Sequence, residues 1–176
     1  MKTLVYKLNF KKEEELWVMK KEQKQEFTLR ITRANKTQMI VILYDMVLVY
    51  LEDSLEAFEK EDYVTYKWNI ERAKDCIDEL IQSLHMEYEL AGILKGLYFF
   101  YKRELASAGV QKDKEKVLPV IKMIQELKES YEQIAAQDTS APIMENTQAV
   151  YAGLTYGKNS LNVNLSDQGT NRGFRV

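Results

Sequence analysis

Histidine and cysteine are almost absent: His85 and Cys76 are the sole examples in 176 residues. One cysteine cannot form an internal disulfide and fits a reducing compartment. One histidine cannot supply the two Glu-x-x-His pairs of a bundle di-iron site, and Gln82, not Glu, stands three residues before it. His85-Met-Glu-Tyr-Glu lacks the basic, small-residue neighbourhood of a phosphorelay histidine, so His85 reads as a capping or surface residue. Cys76 reads as a small packed apolar side chain. No Gly-rich phosphate loop, zinc spacing or Ser-His-Asp set is visible. The sequence therefore predicts no enzyme, no metal and no cofactor.

Proline and glycine are also scarce, at two and seven. With abundant Glu, Lys, Leu, Ile and Tyr, this predicts helices. A net charge of -2 offers no electrostatic case for nucleic acid. The N-terminus has no uninterrupted apolar signal-peptide core. The longest apolar run is too short to span a bilayer and carries a charge, so no membrane insertion is expected. The expected setting is the cytoplasm.

That run, Met39-Ile-Val-Ile-Leu-Tyr-Asp-Met-Val-Leu-Val-Tyr-Leu51, is the most informative stretch present. Of its thirteen residues only Asp45 is charged, and the rest are apolar or aromatic. A bundle helix needs an apolar stripe about 100° wide, and this segment offers about twice that. Met39, Leu43, Met46 and Tyr50 form one stripe, sufficient for a core. Ile40, Tyr44, Val47, Leu48, Leu51 and Leu55 continue around the helix. The second set is either core in a more enveloped geometry or an open groove. Asp45, Glu52, Asp53, Glu56 and Glu59 share a polar sector.

Asn35 is a good N-cap for a first bundle helix over about 36–58. Glu61-Asp62 places negative charge at the start of a second helix, which has a narrow stripe of Tyr66, Ile70, Ala73, Ile77, Leu80 and Leu84. A third runs from about Met86 to Ser107 and is crowded with Leu90, Ile93, Leu94, Leu97, Tyr98, Phe99, Phe100 and Tyr101, with Gly109 as its stop. A fourth starts near Asp113 and carries Val117, Val120, Ile124, Leu127, Tyr131 and Ile134, with Pro119 in its first turn or two. The fold class predicted is all-α: an antiparallel up-down four-helix bundle with an N-terminal cap segment and a largely irregular C-terminal tail.

Residues 1–26 form a charged extension, of which 1–18 look dispensable because Met19 is a plausible start. Phe27-Thr-Leu-Arg-Ile-Thr alternates, as an extended segment or a short frayed helix end would. It could cover the surplus apolar surface in a self-contained monomer. From Asp138 helix periodicity is lost, and residues 138–176 are expected to be mostly disordered or loosely docked. The bundle domain proper spans residues 27–137.

Asn35-Lys-Thr-Gln-Met-Ile-Val-Ile-Leu-Tyr-Asp-Met resembles the first-helix signature of the FliS family of flagellar export chaperones, with Leu43-Tyr44-Asp45 matching outright. Ala73-Lys-Asp-Cys-Ile-Asp-Glu-Leu-Ile-Gln-Ser-Leu, Glu89-Leu-Ala-Gly-Ile-Leu-Lys-Gly-Leu-Tyr, Glu104-Leu-Ala-Ser-Ala and Leu127-Lys-Glu-Ser-Tyr131 are similar to its later motifs, in order. Asn35-Lys36 stands where the family has Ser-Pro, Met46 where it has Gly, Ile93 where it has Asn and Tyr131 where it has Trp.

The resemblance implies a non-enzymatic chaperone that holds the disordered C-terminal segment of flagellin in apolar grooves and meets the flagellar type III export gate. An anti-sigma factor or other flagellar proteins are further candidate partners. The client-binding residues expected on this basis are Ile40, Tyr44, Val47, Leu48, Leu51, Leu90, Leu94, Tyr98 and Tyr101, with Phe27, Leu29 and Ile31 as the N-terminal cap over the groove. The tail could dock in cis over that groove or recruit another export component. The competing reading is a self-associating bundle without a flagellin client. A monomer or weak homodimer is expected.

Overall fold

The computed structural model describes residues 21–144. The extension before Lys21 and the tail from Glu145 onward lie outside the described residues. Five α-helices follow in order: α1 (Lys21–Arg33), α2 (Lys36–Glu59), α3 (Tyr63–Gln82), α4 (Glu89–Gln111) and α5 (Val117–Ala135), with a 3-10 turn (Lys114–Lys116) before α5.

Each boundary has a local cause. Asn35 starts α2 with a full capping box: its side chain accepts from the Gln38 backbone N–H at 2.8 Å, and the Gln38 side chain accepts from the Asn35 N–H at 3.0 Å. Asp62 caps α3, accepting from the Thr65 N–H at 3.1 Å and its hydroxyl at 2.7 Å. These bonds hold its carboxyl below the usual range, the Thr65 side chain foremost. Three residues suffice between α2 and α3 because Glu61 adopts a left-handed φ of 57°.

The expected stop at Gly109 is not observed. Gly109 lies inside α4, where a Cβ would stand 3.7 Å from Ile70 of α3, an ordinary contact distance. The helix ends instead at Lys112, left-handed at φ 53°, whose ammonium lies 4.3 Å from the centre of the Tyr63 ring. Pro119 takes the third position of α5, where no N–H is needed.

Helices α2 to α5 close a ring in which α2 packs on α3, α3 on α4, α4 on α5 and α5 back on α2. Lys114 bonds Glu59 at the far end of α2 at 2.5 Å, and Asp138, just past α5, accepts from Thr37 at its near end at 2.6 Å. Helices α2 and α5 are therefore antiparallel, as an up-down bundle requires. Most of the predicted stripes of α3 and α5 face inward: Tyr66, Ile70, Ala73, Ile77 and Leu80, and Val117, Val120 and Ile124, are buried, whereas Leu84, Leu127 and Tyr131 are half-buried and Ile134, in the last turn of α5, is exposed.

The core contains an aromatic cluster. The Tyr44 and Tyr98 hydroxyls are hydrogen-bonded to each other. The Tyr44 ring lies 5.5 Å from Tyr131, and Tyr98 lies 6.4 Å from Tyr101. Tyr66 donates to the Ala108 carbonyl at 3.2 Å, tying α3 to the end of α4. Burial pushes the hydroxyls of Tyr66, Tyr98 and Tyr101 up to about 12 and raises Tyr44 as well.

The segment after α5 is not loose over its described part. Asn35 donates to the Asp138 carbonyl at 3.1 Å, and Ile143 N–H donates to the Ala34 carbonyl at 2.9 Å. Residues 138–144 form an irregular strap fastened to the α1–α2 joint, the docked alternative of the two expected for the start of the tail.

Two consequences are measurable. Replacing Asn35 by Ala removes both the cap and a strap bond, and should lower stability in urea unfolding by about 1–2 kcal/mol. The buried tyrosines keep their protons to higher pH in the folded state than the ~10 of an unfolded chain. Stability should be insensitive to tyrosine ionisation below about pH 10 and fall as pH rises from there toward 12. The tyrosinate absorbance contributed by these buried tyrosines should appear with unfolding rather than before it.

Candidate partner-binding site

The N-terminal segment forms a helix, α1, not an extended strap. Its sequence is weakly amphipathic, and its order comes from a single aromatic anchor. Phe27 is buried with Ala34 and Ile42 of α2, flanked by Ile31, Met39, Met46, Val49 and Tyr50. Burying such a side chain stabilises by about 1.5–3 kcal/mol. Leu29 is 38% exposed. Of the three expected cap residues, Phe27 and Ile31 pack in this cluster on α2, and Leu29 lies at the edge of a groove beside it.

A charge junction fixes the same helix. The Asp45 carboxylate of α2 takes the Arg30 guanidinium of α1 on one oxygen and the Lys128 ammonium of α5 on the other, the latter at 2.9 Å. Lys128 also reaches Glu132 at 3.3 Å. The Asp45 hydrogen bond, ahead of the other influences, raises the pKa of the Lys128 ammonium. Arg30 lines a groove between α1 and α5 on both sides of this junction. One side, of about 530 Å³, is bedded by Leu29, Ala34, Val41, Ile42 and Ala135. The other, of about 550 Å³, is walled mainly by polar groups including Glu26, Glu52, Gln125 and Glu129.

The client-binding residues expected from the sequence separate sharply. Tyr44, Val47, Leu48 and Leu51 of α2 and Leu94, Tyr98 and Tyr101 of α4 are buried in the main core, and of these Leu48 alone also borders the groove beside Arg30. The two stripes of α2 exchange roles. The Tyr44–Val47–Leu48–Leu51 arc packs inside the bundle, and Met39, Met46 and Tyr50 are half-buried, with α1 packed over them. The more enveloped geometry is the one observed. Ile40 and Leu90 remain accessible: Ile40 is half-buried at a pocket, and Leu90 is exposed.

Leu90 belongs to a face that the sequence did not separate from the core arc of α4. Leu90 and Ile93 are 61% and 64% exposed, Phe100 is exposed and Leu97 is half-buried. Their spacing of three, four and three residues sets them on one stripe. Ala91, Leu94, Tyr98, Tyr101, Leu105 and Ala108 occupy the adjoining arc and face inward. The stripe ends at Glu104. An apolar arc this wide signalled surplus surface, but its division into inner and outer halves depends on where α3 and α5 lie.

A further pocket of about 650 Å³ opens where α2 begins and α5 ends, with Met39, Ile40, Leu43, Tyr131, Ile134 and Ile143 as its apolar lining. His85 is exposed at its rim, in keeping with a surface role. Cys76 is buried, and burial foremost pushes its thiol up to about 12, which removes it as a nucleophile. Among the described residues no His, Cys, Asp or Glu cluster could hold a metal ion, and no helix is long and apolar enough to cross a membrane. The geometry offers apolar surfaces and charge junctions, which suit protein recognition.

The family model for the flagellar protein FliS matches residues 19–138. The chain belongs to the FliS family. Comparison with curated proteins returns no match. FliS membership implies a flagellar export chaperone role, in an all-α bundle. The match begins at Met19, two residues before α1, and stops at Asp138, so the rest of the strap lies beyond it. The family's Ser-Pro becomes Asn35-Lys36 here. The Asn35 amide both accepts for the cap and donates to Asp138.

Asp45→Asn should loosen α1 without opening the bundle. Pairs this exposed are worth about 1 kcal/mol or less. Hydrogen exchange should therefore accelerate several-fold for amides 27–33, while those of Ile70 and Ile77 keep their protection.

Proposed function

We propose that this chain is a cytoplasmic export chaperone that holds the C-terminal segment of flagellin, prevents its premature polymerisation and delivers it to the flagellar type III export gate. The observation that carries this reading is the outward stripe of α4, Leu90, Ile93, Leu97 and Phe100, on a helix whose adjoining arc already satisfies the core. Contiguous exposed apolar surface of this kind marks binding sites. Its helical spacing suits an amphipathic client helix laid alongside. Affinity would come from apolar burial, at about 25 cal/mol per Å² before ordering costs.

The groove between α1 and α5 adds a second surface, and α1 is the natural resident cover for the Ile42 face beneath it. Ile40 and Leu90 are the members of the expected site that a client reaches without opening the core.

Leu90→Asp and Ile93→Asp should each lower the affinity for a flagellin C-terminal peptide at least tenfold in calorimetry, with the melting temperature almost unchanged. Wild-type affinity in both variants would remove α4 from the site. The same stripe could instead be buried between two copies of the chain. Sedimentation separates the readings: a tight dimer that persists when flagellin is added favours self-association, and dissociation into a one-to-one complex favours the chaperone.

A further inference from the structure

The strap of residues 138–144 crosses the pocket at the α2–α5 end of the bundle. Ala141 precedes Pro142 and is thereby biased to extended backbone, and the segment carries no helix. Ile143 donates its N–H to the Ala34 carbonyl at 2.9 Å and contributes its side chain to the pocket wall, yet stays 48% exposed. The cavity of about 650 Å³ that it borders is more than one isoleucine fills. The bed is aliphatic and aromatic, from Met39, Ile40, Leu43, Tyr131 and Ile134, and the rim is polar, with Thr37, Gln82 and Ser83 among its residues.

We propose that this pocket receives a branched aliphatic side chain carried on an extended peptide, and that Ile143 is its resident occupant, held there in cis until a client side chain displaces it. The strap itself supplies the pattern: extended backbone paired to the exposed carbonyl of Ala34, with an apolar side chain turned to the bed.

The strap is fastened strongly enough to be resident and weakly enough to leave. Asp138 accepts from Thr37 at 2.6 Å and from the Ser140 N–H at 2.9 Å, and its carbonyl accepts from Asn35 at 3.1 Å. Ser140 first, then Thr37, holds the Asp138 carboxyl below the usual carboxylate range, so the tie is charged at neutral pH. A half-seated Ile143 and a few hydrogen bonds, the Ser140–Asp138 bond exposed to water's competition, make an occupant that a better-buried anchor can replace. Because the strap is joined to α5, its effective concentration is high without tight intrinsic binding. Only Asp138 of the strap falls within the family match. The choice of flagellin as the displacing client rests on the function proposed above; the pocket and its occupant do not.

The test uses the full chain and its Ile143→Ser variant, with Thr37→Val as a second variant that loosens the strap and leaves Ile143 in place. The first probe is a peptide with the sequence Gln137-Asp-Thr-Ser-Ala-Pro-Ile-Met-Glu-Asn146, followed by methyl NMR of Met39, Ile40 and Ile134. The peptide should shift these methyls in both variants at concentrations at least fivefold below those needed with wild type, and should fail when its own isoleucine is replaced by Asp. Equal shifts in wild type and variants, or none at millimolar peptide, would overturn the inference. The second probe is a flagellin C-terminal peptide. It should bind the Ile143→Ser chain several-fold tighter than wild type. Equal affinity would show that flagellin does not use this pocket and would overturn the displacement by this client. If flagellin binds neither chain, the proposed client fails, and the strap peptide alone decides the pocket.

Discussion

Helix α2 must bury apolar side chains around most of its circumference, and the remainder of the bundle is arranged to let it. The arc of Tyr44, Val47, Leu48 and Leu51 meets α3, α4 and α5 in the main core. The arc of Ile42, Met46 and Val49 meets Phe27 and Ile31 of α1, with Met46 shared between that cluster and the main core. Asp45 stands in the same helix as both arcs. A carboxylate in such surroundings is tolerable only when paired, and its two partners, Arg30 and Lys128, come from the elements that close over α2 on that side. The charge thus does for orientation what the apolar arcs do for affinity. It fixes where α1 and α5 lie relative to each other.

This dependence explains what the sequence discloses and what it withholds. Caps are local, so Asn35 and Asp62 could be read as helix starts from their own neighbourhoods. Narrow stripes are nearly as local: α3 and α5 have one apolar face each, and a helix with one face has one way to turn. Helices α2 and α4 have no such instruction. Their rotation is set by the elements packed around them, so Tyr44, Val47 and Tyr98 read as groove residues when they are core, and Ile93 and Phe100 were not separated from the interior. Helix α1 was ambiguous for the same reason, since its order comes from Phe27 on a foreign surface. Gly109 misled because a glycine can stand inside a helix as well as past its end. Here it lies within α4, and a left-handed lysine, placed against Tyr63, ends the helix.

The polar content of the core follows from the same crowding. Large side chains were needed to fill the space between α2, α4 and α5, and tyrosines filled it where their hydroxyls could find each other or a carbonyl. Tyr44 and Tyr98 satisfy one another, and Tyr66 uses the end of α4. No buried side-chain polar atom among the described residues lacks a partner. Tyr131 stands at the edge of this cluster and also lines the end pocket. An occupant of that pocket therefore rests on a side chain whose other face packs against Tyr44, one letter of the Leu43-Tyr44-Asp45 signature. Surface and core are continuous at that point.

A chaperone for export must let go as well as hold, and the surfaces found here suit that requirement better than a single deep cavity would. The outward stripe of α4 is open, the groove beside α1 is divided by a charge junction, and the end pocket has a resident of its own. None would bind tightly alone. A long client segment that reached two or three of them would gain affinity by linkage, because each contact raises the effective concentration of the next. The same arithmetic works in reverse at release. Freeing one anchor lowers the others' advantage, and α1 and the strap, both tethered in cis, are positioned to reoccupy what the client leaves. Tight holding and ready surrender then come from the same set of modest contacts, which is what a flexible client and a waiting export gate would together demand.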